Sequence, residues 1–206
     1  MLTKEEIKII ELFRKNLFKD YSIKAIMRKI SKKSYNWTYK TVKKLSKLKI
    51  INITKKGNSN LCSINLNNNL TLKYLSFLEE HSINSKRLPM KNIFELINSV
   101  PLSYFTFIIS GSYSTGKATK KSDLDIIILI EDGIDIKKIF TILKNKGELM
   151  VPNVHPYVFT KSNFLQMLLN DEENYGKMIF KNKLILFGAE NYYLILKEAI
   201  KNGFKG

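Results

Sequence analysis

The stretch Tyr104-Phe-Thr-Phe-Ile-Ile-Ser110-Gly111-Ser112-Tyr-Ser-Thr-Gly-Lys117-Ala-Thr-Lys-Lys-Ser122-Asp123-Leu124-Asp125-Ile-Ile-Ile-Leu-Ile130 decides how the C-terminal half of this chain is read. Residues 104–110 are aromatic, β-branched or small, as a strand requires. The chain then meets Gly111-Ser112, crosses ten polar-rich residues, and enters Asp123-Leu124-Asp125 at the head of an apolar run. Gly111 lets the backbone turn sharply out of the first strand and approach a phosphate. Ser112 offers a hydroxyl and an adjacent amide at the expected start of a helix, where anions bind well. Asp123 and Asp125 alternate with Leu124, so both carboxylates project from one face, about 6.6 Å apart along the backbone. Two unpaired acids so placed repel each other, and a divalent cation reverses that balance. Lys117, in the intervening loop, is a candidate phosphate contact.

Strand, Gly-Ser, ten-residue spacing, Asp-x-Asp and apolar strand together resemble the polymerase-β-like nucleotidyltransferase superfamily, especially its minimal prokaryotic members, over about residues 90–206. The resemblance implies a mixed sheet with flanking helices. It also implies Mg²⁺ (or Mn²⁺) held by Asp123 and Asp125, and an NTP, with ATP expected, held by Gly111, Ser112 and Lys117. Transfer of a nucleoside monophosphate with loss of pyrophosphate follows from it. Related minimal domains act as antitoxins that nucleotidylate a helical partner, so a protein acceptor of that kind, a helical toxin, is implied by analogy.

The pattern departs from the family in two places. Catalytic members carry a third carboxylate on a later strand, and the corresponding run here, Asn153-Val-His-Pro-Tyr-Val-Phe-Thr160, holds no Asp or Glu. Its same-face positions are Asn153, His155 and Tyr157, which leaves His155 as the candidate ligand or base, although a structural His is the expectation. The frequent Arg after Gly-Ser is also missing, with Thr115 in that region. Further on, Ser162 is the expected cap of a helix through Phe164, Leu165 and Leu168. Leu184–Phe187 reads as a strand ending at Gly188, and Glu190–Asn202 as a last helix whose apolar face carries Tyr193, Leu194, Leu196 and Ile200.

Upstream, charge is the main signal. The net formal charge is +17, yet residues 1–90 hold 20 Lys/Arg against 6 Asp/Glu, while residues 91–206 hold 15 against 12. Tyr21–Asn60 has 12 basic residues and no acid. Such asymmetry points to a polyanion partner for the N-terminal part. Helical spacing places Ile7, Ile10, Phe13 and Leu17 on one face of Glu5–Leu17, behind a Thr3 cap, and Ser22 caps a second helix carrying Ile23, Ile26, Met27 and Ile30. A third helix runs to about Lys49, with Thr38, Val42, Leu45 and Leu48 inward and Lys40, Lys43, Lys44 and Lys47 nearly opposite. Trp37 is expected in the core, and Tyr35 or Tyr39 against a sugar or base. Two alternating stretches around Lys55-Lys56-Gly57-Asn58 then read as a β-hairpin.

Three helices and a basic hairpin resemble the winged helix-turn-helix family over roughly residues 3–68, with Lys49 standing where many relatives have Gly. This resemblance implies DNA as a partner, with Tyr39, Lys40, Lys43, Lys44 and Lys47 facing the groove and Lys55 and Lys56 on the wing. Winged helices often pair on symmetric sites, so a homodimer stays open.

The expected fold class is α+β. Residues 1–68 are the winged helix-turn-helix, 69–88 a linker helix and boundary, and 89–206 the nucleotidyltransferase domain. In the linker, Leu70, Tyr74, Phe77 and Leu78 form the expected apolar seam, and His81–Arg87 the expected break. No apolar run approaches the ~18 residues of a membrane span, the N-terminus lacks a signal-peptide pattern, and Cys62 is the single cysteine; a cytoplasmic protein without membrane association is expected. Two other readings suit the same residues: a transcriptional regulator with an inactive transferase domain, and an RNA-directed transferase.

Overall fold

The structure, a computed structural model, describes residues 2–57, 59–83 and 88–206. The chain divides into two compact units, Met1–Leu78 and Glu79–Gly206.

In the first unit, helix α1 spans Lys4–Arg14. The Thr3 hydroxyl accepts from the Glu6 N–H, and the Glu6 carboxylate accepts from the Thr3 N–H, a reciprocal cap that satisfies two otherwise orphaned donors. The helix stops three residues short of Leu17, and its buried apolar residues are Ile9, Ile10 and Phe13, with Ile7 and Leu17 only half-buried. A two-residue strand, β1 (Tyr21–Ser22), precedes helix α2 (Ile23–Lys29); Ser22 caps α2 as its sequence predicts, but the strand itself is too short to show any alternation. Helix α3 covers Tyr35–Lys47 and buries Thr38, Thr41, Val42 and Leu45. It ends before Leu48, which is 41% exposed and not inward. Lys49 adopts φ +56°, the left-handed conformation that Gly adopts without strain. Asn68 and Asn65 side chains donate to the Leu48 and Lys49 carbonyls and satisfy the end of the helix. The hairpin is β2 (Ile51–Lys56) and β3 (Ser59–Ile64), in register from Ile51↔Ile64 to Lys56↔Ser59. β1 adds to it antiparallel, in the order β1-β3-β2.

Helix α4 (Asn69–Ile83) contains the division between the units. The expected seam is displaced around it: Leu72, Leu75 and Leu78 are buried, while Leu70 and Phe77 face solvent and Tyr74 is half-buried. Glu79, the first residue of the second unit, is buried and accepts a hydrogen bond from Tyr193. Of the expected break, His81–Ile83 are the last turn of α4, and residues 84–87 lie outside the described ones.

The second unit is built on four strands, β4 (Thr106–Ile109), β5 (Leu124–Ile130), β6 (Val154–Thr160) and β7 (Leu184–Phe187), in the order β6-β5-β4-β7. β5 and β6 are parallel and the other pairs antiparallel, so the sheet is mixed. Leu124, Ile126, Ile128 and Ile130 of β5 pack into one core with residues of α5 (Met90–Ser99) and α7 (Ile136–Gly147), among them Ile93, Leu96, Ile139 and Leu143. Ile127 and Leu129 are buried on the opposite face, where α8 (Lys161–Leu169) and α10 (Ala189–Lys201) pack. Each fully buried Ile contributes about 1.5–3 kcal/mol, so burial on both faces pins β5 and the acids at its head.

Details of the helices differ from expectation. The cap of α8 is Thr160, paired reciprocally with Asn163. Ser162 instead binds Asp132, its hydroxyl at 2.7 Å and its N–H at 3.1 Å. Leu194 of α10 is 45% exposed, and Tyr192, Tyr193, Ile195 and Leu196 form its buried face. Among the described residues, no helix is long and apolar enough to cross a membrane.

Candidate functional site

β4 brings the backbone to Ser110, whose N–H donates to the Asp125 carbonyl at 3.0 Å. At Gly111 the chain takes φ +62° and enters a single short turn of helix, α6 (Gly111–Thr115), which Gly116 ends at φ +73°. A Cβ on Gly111 would lie 2.2 Å from Asp125 Oδ2. The carboxylate thus rests against the bare backbone of Gly111, which joins the Gly-Ser turn to the acid pair. Ser114 and Thr115 donate their hydroxyls back to the Gly111 carbonyl, at 2.8 and 3.3 Å. Ser112 is half-buried in the first turn. The N–H of Lys117 donates to the Ser112 carbonyl at 2.9 Å, and its side chain is exposed.

Asp123 precedes β5 and Asp125 is its second residue, separated by the fully buried Leu124. The parallel pairing of β5 with β6 sets Asp125 opposite His155. His155 Nε2 stands 4.0 Å from Asp123 Oδ2, and its Nδ1 stands 3.8 Å from Asp125 Oδ1. These separations are longer than hydrogen bonds. His155 therefore faces both carboxylates with its side chain 55% exposed. β6 thus places an imidazole, and no carboxylate, opposite the acids. Burial raises the Asp125 carboxyl above its ordinary range; the His155 charge opposes this and the Asp123 charge adds to it.

One wall of the site was not legible in the sequence. Tyr175 opens helix α9 (Tyr175–Lys181) behind an Asn174 cap. Its hydroxyl lies 3.3 Å from Ser110 Oγ, and its ring lies 4.9 Å from Tyr157 and 6.0 Å from Phe159, centroid to centroid. Burial raises the Tyr175 hydroxyl above its ordinary value, with Tyr157 and the Asp125 charge adding and the Ser110 hydrogen bond opposing. Tyr157 was visible as a same-face neighbour of His155. Tyr175 lies 50 positions beyond Asp125 in the chain, and only the packing of α9 brings it near.

Among the described residues, no three His, Cys, Asp or Glu side chains are already gathered to hold one cation. The donors that do face one another are two carboxylates and one imidazole. Carboxylate oxygens suit a hard divalent ion, so the pair fits Mg²⁺ or Mn²⁺, with the remaining positions left to water and substrate.

In the first unit, Lys40, Lys43, Lys44 and Lys47 are all exposed on α3. Lys44 is engaged, however, with its ammonium 2.8 and 3.0 Å from the Glu6 carboxylate. Burial tends to raise that carboxyl, but the hydrogen bonds from Lys44 and Thr3 hold it below its usual range. Lys40, Lys43, Lys47, Lys55 and Lys56 make no ion pair among the described residues. Lys43 lies 5.7 Å from the centre of the Tyr39 ring, and Tyr39 stacks with Tyr35 at 6.4 Å. Trp37 is half-buried and not in the core; Lys32, paired with Glu5 at 2.7 Å, sits 4.8 Å above its ring. Lys55 and Lys56 are exposed on β2, opposite Asn60 and Ser59.

Residues 102–186, which span the Gly-Ser turn and both acids, match a family model described as a nucleotidyltransferase domain. No curated protein matches the chain. A solved chain in the crystal structure of a toxin-antitoxin with AMP-PNP is similar at 17% identity, over 56% of this chain and 86% of that one, with a TM-score of 0.38.

Proposed function

We propose that residues 89–206 bind a metal-NTP and transfer a nucleoside monophosphate, AMP from ATP, to a protein hydroxyl, and that residues 1–68 form a winged helix-turn-helix that binds DNA. The observation that carries the first part is the Asp125 carboxylate lying against Gly111, with Asp123 near it at the head of β5 and both acids facing His155. Asp123 and Asp125 would hold Mg²⁺ or Mn²⁺. When bound, the cation neutralises phosphate charge as the leaving pyrophosphate departs. Gly111 and Ser112 present backbone and hydroxyl to the phosphates, and Lys117 adds a positive charge from the loop. The acceptor oxygen bonds to the α-phosphorus, the bond to the pyrophosphate oxygen breaks, and the acceptor's proton is released. The choice of a protein acceptor rests on the resemblance to minimal family members.

The test is incubation with Mg²⁺ or Mn²⁺ and ATP labelled on the α-phosphate, with and without proteins encoded by neighbouring genes. Label should appear on one such protein and vanish in Asp123→Asn and Asp125→Asn; labelling that survives both substitutions refutes these metal roles. A second reading, an inactive transferase domain in a DNA-bound regulator, is favoured by the lack of a third carboxylate on β6. It predicts nucleotide binding without transfer to any acceptor.

For residues 1–68 the supporting features are the exposed basic face of α3, the Tyr35–Tyr39 stack and the basic hairpin. Duplex DNA affinity should fall with salt at about −0.9 per neutralised phosphate in a log–log plot. Removing Lys40, Lys43 and Lys47 together should flatten that slope, whereas Lys44→Ala, which breaks the pair with Glu6, should change it less. A slope indifferent to the triple change refutes this surface, and preference for single-stranded RNA over duplex DNA selects the RNA-directed reading.

A further inference from the structure

We propose that His155 is a nitrogen ligand to the cation held by Asp123 and Asp125, and that it turns the site toward borderline first-row cations such as Mn²⁺ and Co²⁺ and away from Mg²⁺. The inference rests on the metal site proposed above and concerns which cation that site selects.

The geometry is specific. Both ring nitrogens face carboxylates, Nε2 at 4.0 Å from Asp123 and Nδ1 at 3.8 Å from Asp125. Around one divalent ion with bonds of about 2.1 Å, adjacent ligand atoms lie about 3 Å apart and opposite ones about 4.2 Å. The observed separations fall between those limits, so a modest side-chain rotation closes either nitrogen onto an ion shared with a carboxylate. Backbone pairing holds the residue there, since β5 and β6 run in unbroken parallel register from Leu124↔Val154 to Ile130↔Thr160. The side chain is 55% exposed, open to a ligand, and β6 offers no carboxylate in its place.

The chemistry follows from the donor atom. Mg²⁺ is hard, binds oxygen and dehydrates reluctantly. An imidazole adds little for Mg²⁺ but strengthens binding of later first-row ions, whose affinity for nitrogen rises from Mn²⁺ to Co²⁺. An oxygen-only site also prefers Co²⁺ to Mg²⁺ to some degree, so the decisive quantity is how the preference changes when the nitrogen is removed.

The experiment is calorimetric titration of the full-length protein with MgCl₂, MnCl₂ and CoCl₂, for wild type, His155→Ala, His155→Asp and Asp125→Asn, alongside the visible spectrum of the Co²⁺ form. His155→Ala should weaken Co²⁺ binding by at least about tenfold, with a smaller loss for Mg²⁺, and should alter the Co²⁺ absorption bands. His155→Asp, which restores an all-oxygen set, should narrow the Co²⁺-to-Mg²⁺ preference. An unchanged preference and spectrum in both His155 variants overturns the proposal while leaving the acid pair intact. Retention of full cation affinity in Asp125→Asn places the cation elsewhere and overturns the metal site itself, as does a wild type that takes up no cation.

Discussion

Replacing Gly111 by Ala tests the link between the turn and the acid pair more sharply than removing either acid. Two costs arise at this position. The backbone sits at φ +62°, where a residue with a Cβ pays roughly 1–2 kcal/mol. The added methyl would also stand 2.2 Å from Asp125 Oδ2, more than 1 Å inside the ~3.5 Å at which non-bonded atoms rest. The carboxylate is a side-chain end and can swing away, so the chain should still fold. Backbone strain alone should lower the melting temperature of the second unit by about 4–10 °C, taking about 4–5 °C per kcal/mol for a domain of this size. The functional loss should be larger than the stability loss, because the rotated carboxylate no longer points at the shared edge of β5 and β6. Thermal denaturation monitored by circular dichroism, with Mn²⁺ titration of the folded variant, reads both quantities. Gly188→Ala is the control. Gly188 has φ +68° and its added methyl would meet the Phe105 carbonyl oxygen at 2.0 Å, a backbone atom that cannot rotate away. That variant should be the less stable of the two, yet its folded fraction should keep cation affinity. Full cation affinity in Gly111→Ala would refute the reasoning.

Two further outcomes follow from the electrostatics and packing. Burial raises the Asp125 carboxyl, so the folded state holds a proton where the unfolded chain has lost it, and this residue's contribution to stability falls as pH rises from near 4 through the folded value. Asp125→Asn should therefore melt higher than wild type in metal-free buffer at pH 7, the gap should shrink toward pH 3, and a lower melting temperature at pH 7 would contradict the assignment. Cys62 is fully buried, and burial, with a smaller push from Asp20, raises its thiol to about 11; it should resist a disulfide reagent at pH 8 until the chain is denatured, and fast labelling of the native protein would show that the β-sheet of the first unit is not packed around it.

The neighbouring parts of the candidate site could be placed because they are close in sequence. Period-two alternation placed Asp123 and Asp125 on one face, and the Gly-Ser turn followed from a strand-like run that must end. Helix periodicity gave the correct elements but misjudged faces. Leu48, Leu70, Phe77 and Leu194 are apolar at helical spacing and yet face solvent. One helix can offer two overlapping apolar stripes, and the partner that packs against it selects one. The same limit applied to Lys44, whose place on the basic face was evident and whose pairing with Glu6, 38 residues earlier, was not.

The chain by itself determined the mixed character of the protein, its basic N-terminal portion, the Gly-Ser turn and the two acids, because these depend on composition, local periodicity and neighbouring residues. Only the tertiary structure decided the placement of His155 opposite the two acids, the arrival of Tyr175 behind Ser110, and the close approach of the Asp125 carboxylate to the backbone of Gly111. Each depends on strand order and register or on how a distant helix docks, and those are chosen by burial summed over the whole sheet rather than by any one segment.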